Sequence, residues 1–150
     1  MPVIKQKEKK DEKGSTKAKG SYVLSQEGED YSVNVNFYLR KSGVNGTGKG
    51  YMVYAIFDRD KQVVYSYNKG FTVGADAIAG TASKDDSEES EIMGWDGKGT
   101  TVFKVEVEKD SSGIPTSAKD ITDFIGSAIS LDDLGSGGLI EAAGWIIEGI

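Results

Sequence analysis

The most strongly patterned stretch of hydrophobic and polar positions runs from Tyr51 to Val73, YMVYAIFDRDKQVVYSYNKGFTV. Two runs rich in Val, Ile, Tyr and Phe flank the polar stretch Asp58-Arg59-Asp60-Lys61-Gln62, the composition and spacing of an antiparallel hairpin. The first run is apolar on both faces, with Tyr51, Val53, Ala55 and Phe57 pointing one way and Met52, Tyr54 and Ile56 the other. A strand of that kind requires cover on both sides.

Three other runs alternate with a period of two. In Tyr31 to Lys41 the residues Tyr31, Val33, Val35, Phe37 and Leu39 alternate with Ser32, Asn34, Asn36, Tyr38 and Arg40, predicting a strand with one wet face. Thr100 to Glu108 repeats the pattern, with Thr101, Phe103, Val105 and Val107 inward and Lys104, Glu106 and Glu108 toward water. A shorter strand is expected over Ser21 to Gln26, closed by a turn at Glu27-Gly28-Glu29-Asp30.

The period changes near the end of the chain. Ile121, Phe124, Ile125, Ala128 and Ile129 recur at helical spacing and predict a helix over residues 118–130 that docks on the sheet. A second helix is expected from about Leu139 to Glu148. On its wheel Glu141, Trp145 and Glu148 share one narrow side, and Leu139, Ile140, Ala142, Ala143, Ile146, Ile147 and Ile150 cover most of the rest. At 1.5 Å per residue this segment reaches about 15–18 Å, too short for a bilayer core of roughly 30 Å.

The remaining segments read as connections. Ser42 to Gly50 holds four glycines and reads as a loop. Its Gly46-Thr47-Gly48-Lys49-Gly50 is not a phosphate loop, because it leads into a strand and not into a helix N-terminus. Gly74 to Gly94 loses periodicity, and the acidic tract at 83–91 within it is expected to be a long exposed loop. Its carboxylates, with Asp58, Asp60 and Asp96 near in type, follow no calcium-loop spacing, so no metal or other cofactor is expected. Trp95-Asp96-Gly97-Lys98-Gly99 is a turn whose tryptophan caps the edge of a core.

These elements predict a mainly β fold: an antiparallel β-sandwich of five or six strands with two C-terminal helices. The alternative is an α+β fold, a two-layer antiparallel sheet with both helices on one face. Residues 1–19 are expected to be a disordered lysine-rich arm, and 20–150 a single β-rich domain with a C-terminal helical segment at 117–149.

Composition narrows the chemistry. The 150 residues include no cysteine and no histidine, which removes the commonest zinc ligands, thiol nucleophiles and the usual general base near neutral pH. Residues 1–20 carry seven lysines against three acids, while residues 21–150 carry eleven Lys and Arg against twenty-one acids. An acidic body disfavours nucleic acid. The start of the chain has no apolar run of the signal-peptide kind, so a cytoplasmic location is the default expectation, with non-classical export left open.

The function expected from these features is non-enzymatic: a binding or assembly module that engages a protein partner or forms a homo-oligomer. Its expected contact residues are Leu139, Ile140, Trp145, Ile146 and Ile147 on the apolar second helix. The alternative is a membrane-active protein or toxin whose C-terminal segment engages lipid, disfavoured by the lack of lysine in that segment. A hydrolase built on two carboxylates is a weaker alternative.

Overall fold

A computed structural model describes residues 2–43, 46–75, 80–107, 137–142 and 144–150. They form nine strands: β1 (Val3–Lys13), β2 (Thr16–Glu27), β3 (Asp30–Ser42), β4 (Gly46–Phe57), β5 (Val63–Ala75), β6 (Thr81–Ile92), β7 (Thr100–Val107), β8 (Leu139–Ala142) and β9 (Trp145–Gly149). The strands make two sheets, one of four strands ordered β1-β2-β3-β6 and one of five ordered β5-β4-β7-β9-β8. Every pairing is antiparallel.

The chain changes sheet after β3, after β5 and after β6. As a result β3 lies across β4 and β5, β2 across β4 and β7, and β1 across β7. The turn between β2 and β3 falls at Gly28-Glu29, where Gly28 has φ +63, a value that a side chain would resist.

The alternation in β3 sets the inner face as expected, with Tyr31, Val33, Val35, Phe37 and Leu39 all buried. They join Ala18, Tyr22 and Leu24 from β2 and Met52, Tyr54, Ile56, Tyr65, Tyr67, Phe103, Val105 and Val107 from the other sheet in one core cluster. Asn34, Asn36, Tyr38 and Arg40 are exposed on the opposite face, whereas Ser32 is buried.

β4 is covered on both sides, as its doubly apolar sequence requires. Tyr51 to Phe57 are each at most 3% exposed. Met52, Tyr54 and Ile56 belong to the shared core, and Tyr51, Val53, Ala55 and Phe57 pack with Val102, Trp145 and Ile147 in a second cluster on the far face of the five-stranded sheet.

Several expectations are corrected. Within the lysine-rich stretch expected as a disordered arm, residues 3–13 form β1 and residues 16–19 begin β2, and the acidic tract at 83–91 is not a loop but the body of β6. Both strands lack an apolar pattern because they are edges held by pairing and charge. β6 pairs with β3 from Tyr31↔Ile92 to Ser42↔Thr81. The inward side of β1 is fixed by ion pairs of Lys5 and Lys7 with Glu148, by Lys9 Nζ donating to the Gly144 carbonyl at 2.7 Å, and by Asp11 accepting from Val107 N–H at 2.9 Å. Part of the expected glycine loop, Gly46 to Gly50, is likewise the beginning of β4.

The second helix is overturned as well. Leu139–Ala142 and Trp145–Gly149 are the antiparallel pair β8 and β9, with Ile140 opposite Ile147 and Glu141 opposite Ile146. A short apolar run satisfies either periodicity. Here Gly144, at φ +84, turns the chain, and the β-branched isoleucines extend on either side. No helix occurs among the described residues; the helix expected over 118–130, and with it most of the helical segment at 117–149, lies outside them.

Lys104 and Glu106 also depart from expectation. They sit on the outer face of β7 but are only 12% and 18% exposed, paired to each other at 3.2 Å. Lys104 lies over the Trp145 ring at 5.3 Å and Glu106 accepts the Tyr51 hydroxyl at 2.8 Å. Burial, reinforced by the bond to Glu106, pushes the Tyr51 hydroxyl far above its ordinary value.

At the centre of the shared core Tyr54 stacks on Tyr22, with ring centroids 4.1 Å apart at 21°, and meets Phe103 edge-on. Its hydroxyl is fully buried and has no hydrogen-bond partner among the described residues. Burial raises its ionisation well above the ordinary range. Removing an unpaired buried hydroxyl while keeping the ring is neutral or favourable. Tyr54→Phe is therefore expected to match the parent or exceed it by up to about 1 kcal/mol in urea unfolding; a loss of more than that amount would show that the hydroxyl has a partner.

Candidate interaction edge

Strand edges present unpaired N–H and C=O groups, and proteins protect them with charge, shortness or cover. Among the described residues the two sheets have four edges: β1 and β6 in one, β5 and β8 in the other. β1 carries eight charged residues in eleven, β6 carries six in twelve, and β8 is four residues long. Those three edges are defended. β5 is thirteen residues long and carries one charge, Lys69.

The side chains of β5 anchor it firmly. Tyr65, Tyr67 and Val73 are buried, and Phe71 stacks on Phe37 with centroids 5.5 Å apart and rings nearly parallel at 3°. The Tyr67 hydroxyl donates to Asp86 at 2.7 Å and the Tyr65 hydroxyl to Glu88 at 3.2 Å, tying β5 to β6 across the two layers. Burial, first, and the adjacent carboxylates push both hydroxyls well above their ordinary value, so both stay protonated donors. The second half of the strand is open to solvent: Lys69, Gly70, Thr72 and Gly74 are exposed, and a side chain added at Gly74 would meet no atom within 4 Å. A strand anchored on its inner face, with an exposed and almost uncharged margin, can accept another strand through its backbone.

The expected contact residues do not assemble into one surface. Trp145 and Ile147 are buried in the outer-face cluster, Ile140 is half-buried beside them, and Ile146 packs on the opposite side against the shared core. Leu139 alone of the five is exposed, at 52%. Pleating of β9 distributes these residues to two faces where a helix would have gathered them.

A second region, at one end of the sheets, is a cleft of about 440 Å³ lined by Asp58, Arg59, Asp60, Gly94, Trp95 and Asp96. The side chains of Asp58, Arg59, Trp95 and Asp96 are already engaged. The Asp58 carboxylate accepts the N–H groups of Asp60 and Gln62, both at 2.9 Å, and builds the β4–β5 turn. Asp96 accepts from Lys98 N–H at 3.0 Å and from Arg59 at 2.5 Å, which hold its carboxyl below the ordinary value, the Lys98 bond foremost. Trp95 is buried against Tyr31 at 4.8 Å and donates its Nε1 proton to the Lys98 carbonyl at 2.9 Å, closing the end of the core as its position before a strand suggests.

Among the described residues no three acidic groups converge in a way that would hold a metal ion. Pleating again explains it: Asp86 and Glu88 lie on the side of β6 that bonds the tyrosines, and Asp85 and Glu89 on the other. No described helix is long and apolar enough to cross a membrane. No protein-family model matches this sequence, and no curated protein matches it.

Proposed function

We propose that this protein is a non-enzymatic binding module, a β-sandwich body that takes up an extended segment of a partner protein along β5. The observation that carries this reading is the contrast among the four edges, three of them charged or short and β5 neither. Main-chain hydrogen bonding supplies affinity in that mode of recognition, and pockets beside alternate residues supply selectivity. The absence of histidine and cysteine from the sequence agrees with it, as does the use of the shifted tyrosines and carboxylates as structural pairs. Association through an apolar C-terminal helix is not carried forward, since β8 and β9 occupy that sequence.

The test is a titration of the isotopically labelled full chain with a ten-residue peptide of alternating serine with valine and threonine, followed by amide chemical shifts. Shifts confined to β5, centred on Lys69 to Gly74, and slowed amide exchange there are expected. Thr72→Lys, which places charge on the exposed margin, is expected to weaken binding several-fold without lowering the melting temperature. Shifts absent from β5 at millimolar peptide would overturn the proposal.

A further inference from the structure

We infer that the strand accepted at β5 is a basic one, carrying a lysine or arginine that meets the Asp86 and Glu88 carboxylates of β6. This deepens the edge reading above and rests on it. β6 lies over β5 in the facing sheet, fixed by the Tyr67–Asp86 and Tyr65–Glu88 hydrogen bonds. It is itself the margin of the four-stranded sheet. A strand added beside β5 therefore lies along the side of β6 that pairs with no other described strand, and its inward side chains face the same surface of β6 that bonds the tyrosines.

That margin is strongly acidic: β6 carries Asp85, Asp86, Glu88, Glu89 and Glu91 against Lys84. The two tyrosine hydroxyls satisfy one oxygen each of Asp86 and Glu88, leaving both with accepting capacity. Glu88 is exposed and Asp86 half-buried, so an incoming cation reaches them from solvent. The pairing also sets the position of the charge. The spacing that places Tyr65 at Glu88 and Tyr67 at Asp86 brings Lys69 to the level of Lys84, so cations are favoured beside Tyr65 and Tyr67 and disfavoured two residues further on.

A second copy of the chain fits this edge poorly. Antiparallel joining of β5 to β5 in one continuous sheet would bring two β6 strands, each with five carboxylates and one lysine, alongside each other. The overall charge of −6 adds to that repulsion.

The test compares three fluorescein-labelled ten-residue peptides on the full chain, alternating valine and threonine with lysine, serine or glutamate, by anisotropy and by amide shifts. The lysine peptide is expected to bind β5 at least ten-fold more tightly than the glutamate peptide at low salt, with the difference shrinking as salt is raised. The pair Asp86→Asn and Glu88→Gln keeps an acceptor for each tyrosine and is expected to abolish most of that preference. Asp85→Asn with Glu89→Gln, on the other face of β6, is expected to reduce it less. Equal affinity of the three peptides with shifts at β5 would overturn the charge inference and leave the edge reading standing. No shifts at β5 with any peptide would overturn both. Dimers in light scattering that Thr72→Lys dissolves would overturn it in favour of a second copy.

Discussion

Gly99→Ala is expected to destabilise the protein by about 3 kcal/mol or more, the largest effect of any single methyl group in the described residues. Gly99 precedes β7 with φ +148, a conformation that side-chain-bearing residues avoid. The added Cβ would sit 1.8 Å from the Phe57 carbonyl oxygen and 3.0 Å from Asp58 Cα. Both are backbone atoms at the end of β4, so no side chain can swing away. The same residue accepts the Ile150 N–H at 2.9 Å, joining the last residue of the chain to the start of β7. Relief of the clash therefore displaces β4, β7 or the end of β9. Gly94→Ala is the control, because Gly94 also has positive φ, at +76, but nothing lies within 4 Å of its added Cβ. It is expected to cost about 1–2 kcal/mol, the conformational part alone. Urea unfolding of the two variants separates the terms; equal midpoints would show that the approach to Phe57 is not a constraint.

The parts of this fold legible in the sequence are those whose stability comes from burying alternate side chains. β3, β4 and β7 show it, and the two-sided apolarity of Tyr51 to Phe57 announced both clusters that the five-stranded sheet supports. β1 and β6 gave no such signal. Their residues are stabilised by partners far away in sequence: Lys5 by Glu148, Asp11 by the Val107 N–H, Asp86 and Glu88 by the tyrosines of β5. Local composition reads such stretches as solvated, since the neutralising partner is not in the window. At residues 139–149 the error has another source. Four isoleucines, a leucine and a tryptophan within a dozen positions satisfy a helical stripe and a pleat equally, and only the pairing of β9 with β7 decides between them. The candidate edge was hidden for a related reason. Whether a strand is an edge depends on sheet order, which no local pattern encodes, although the scarcity of charge from Val63 to Ala75 was visible throughout.

Glu148→Lys is expected to cost about 3–5 kcal/mol and to loosen β1 against the facing sheet. Glu148 points from β9 toward the inward side of β1, its side chain 12% exposed, and pairs with both Lys5 and Lys7. The other groups around it are Tyr22 and Tyr54, both neutral near pH 7, and Thr101, whose hydroxyl donates to the Glu148 carbonyl at 3.4 Å. Burial, offset slightly by the Thr101 bond and increased by the Glu148 charge, pushes the Tyr22 hydroxyl up to about 12. Reversal of the charge places three ammonium groups together with no carboxylate between them. Among the described residues of β1, Ile4 is the side chain that packs on the apolar core, so against the facing sheet the strand otherwise depends on the Lys9 and Asp11 hydrogen bonds, while its pairing with β2 is untouched. Amide exchange should show β1 losing protection in Glu148→Lys while β3 and β4 keep theirs; uniform loss across all strands would mean that β1 is integral to the cooperative core. The titration of Glu148 gives an independent reading. Burial alone would raise its carboxyl, but the hydrogen bonds and charges of Lys7 and Lys5 outweigh it and hold the group below its ordinary value of 4.5. A depressed carboxyl stabilises the folded state fully above the unfolded value, and that contribution disappears as pH falls through the folded one. The stability difference between the parent and Glu148→Gln should therefore be constant from neutral pH down to about 5 and shrink in more acidic solution. A difference that did not change with acid would mean that the lysines hold β1 without the charge of Glu148.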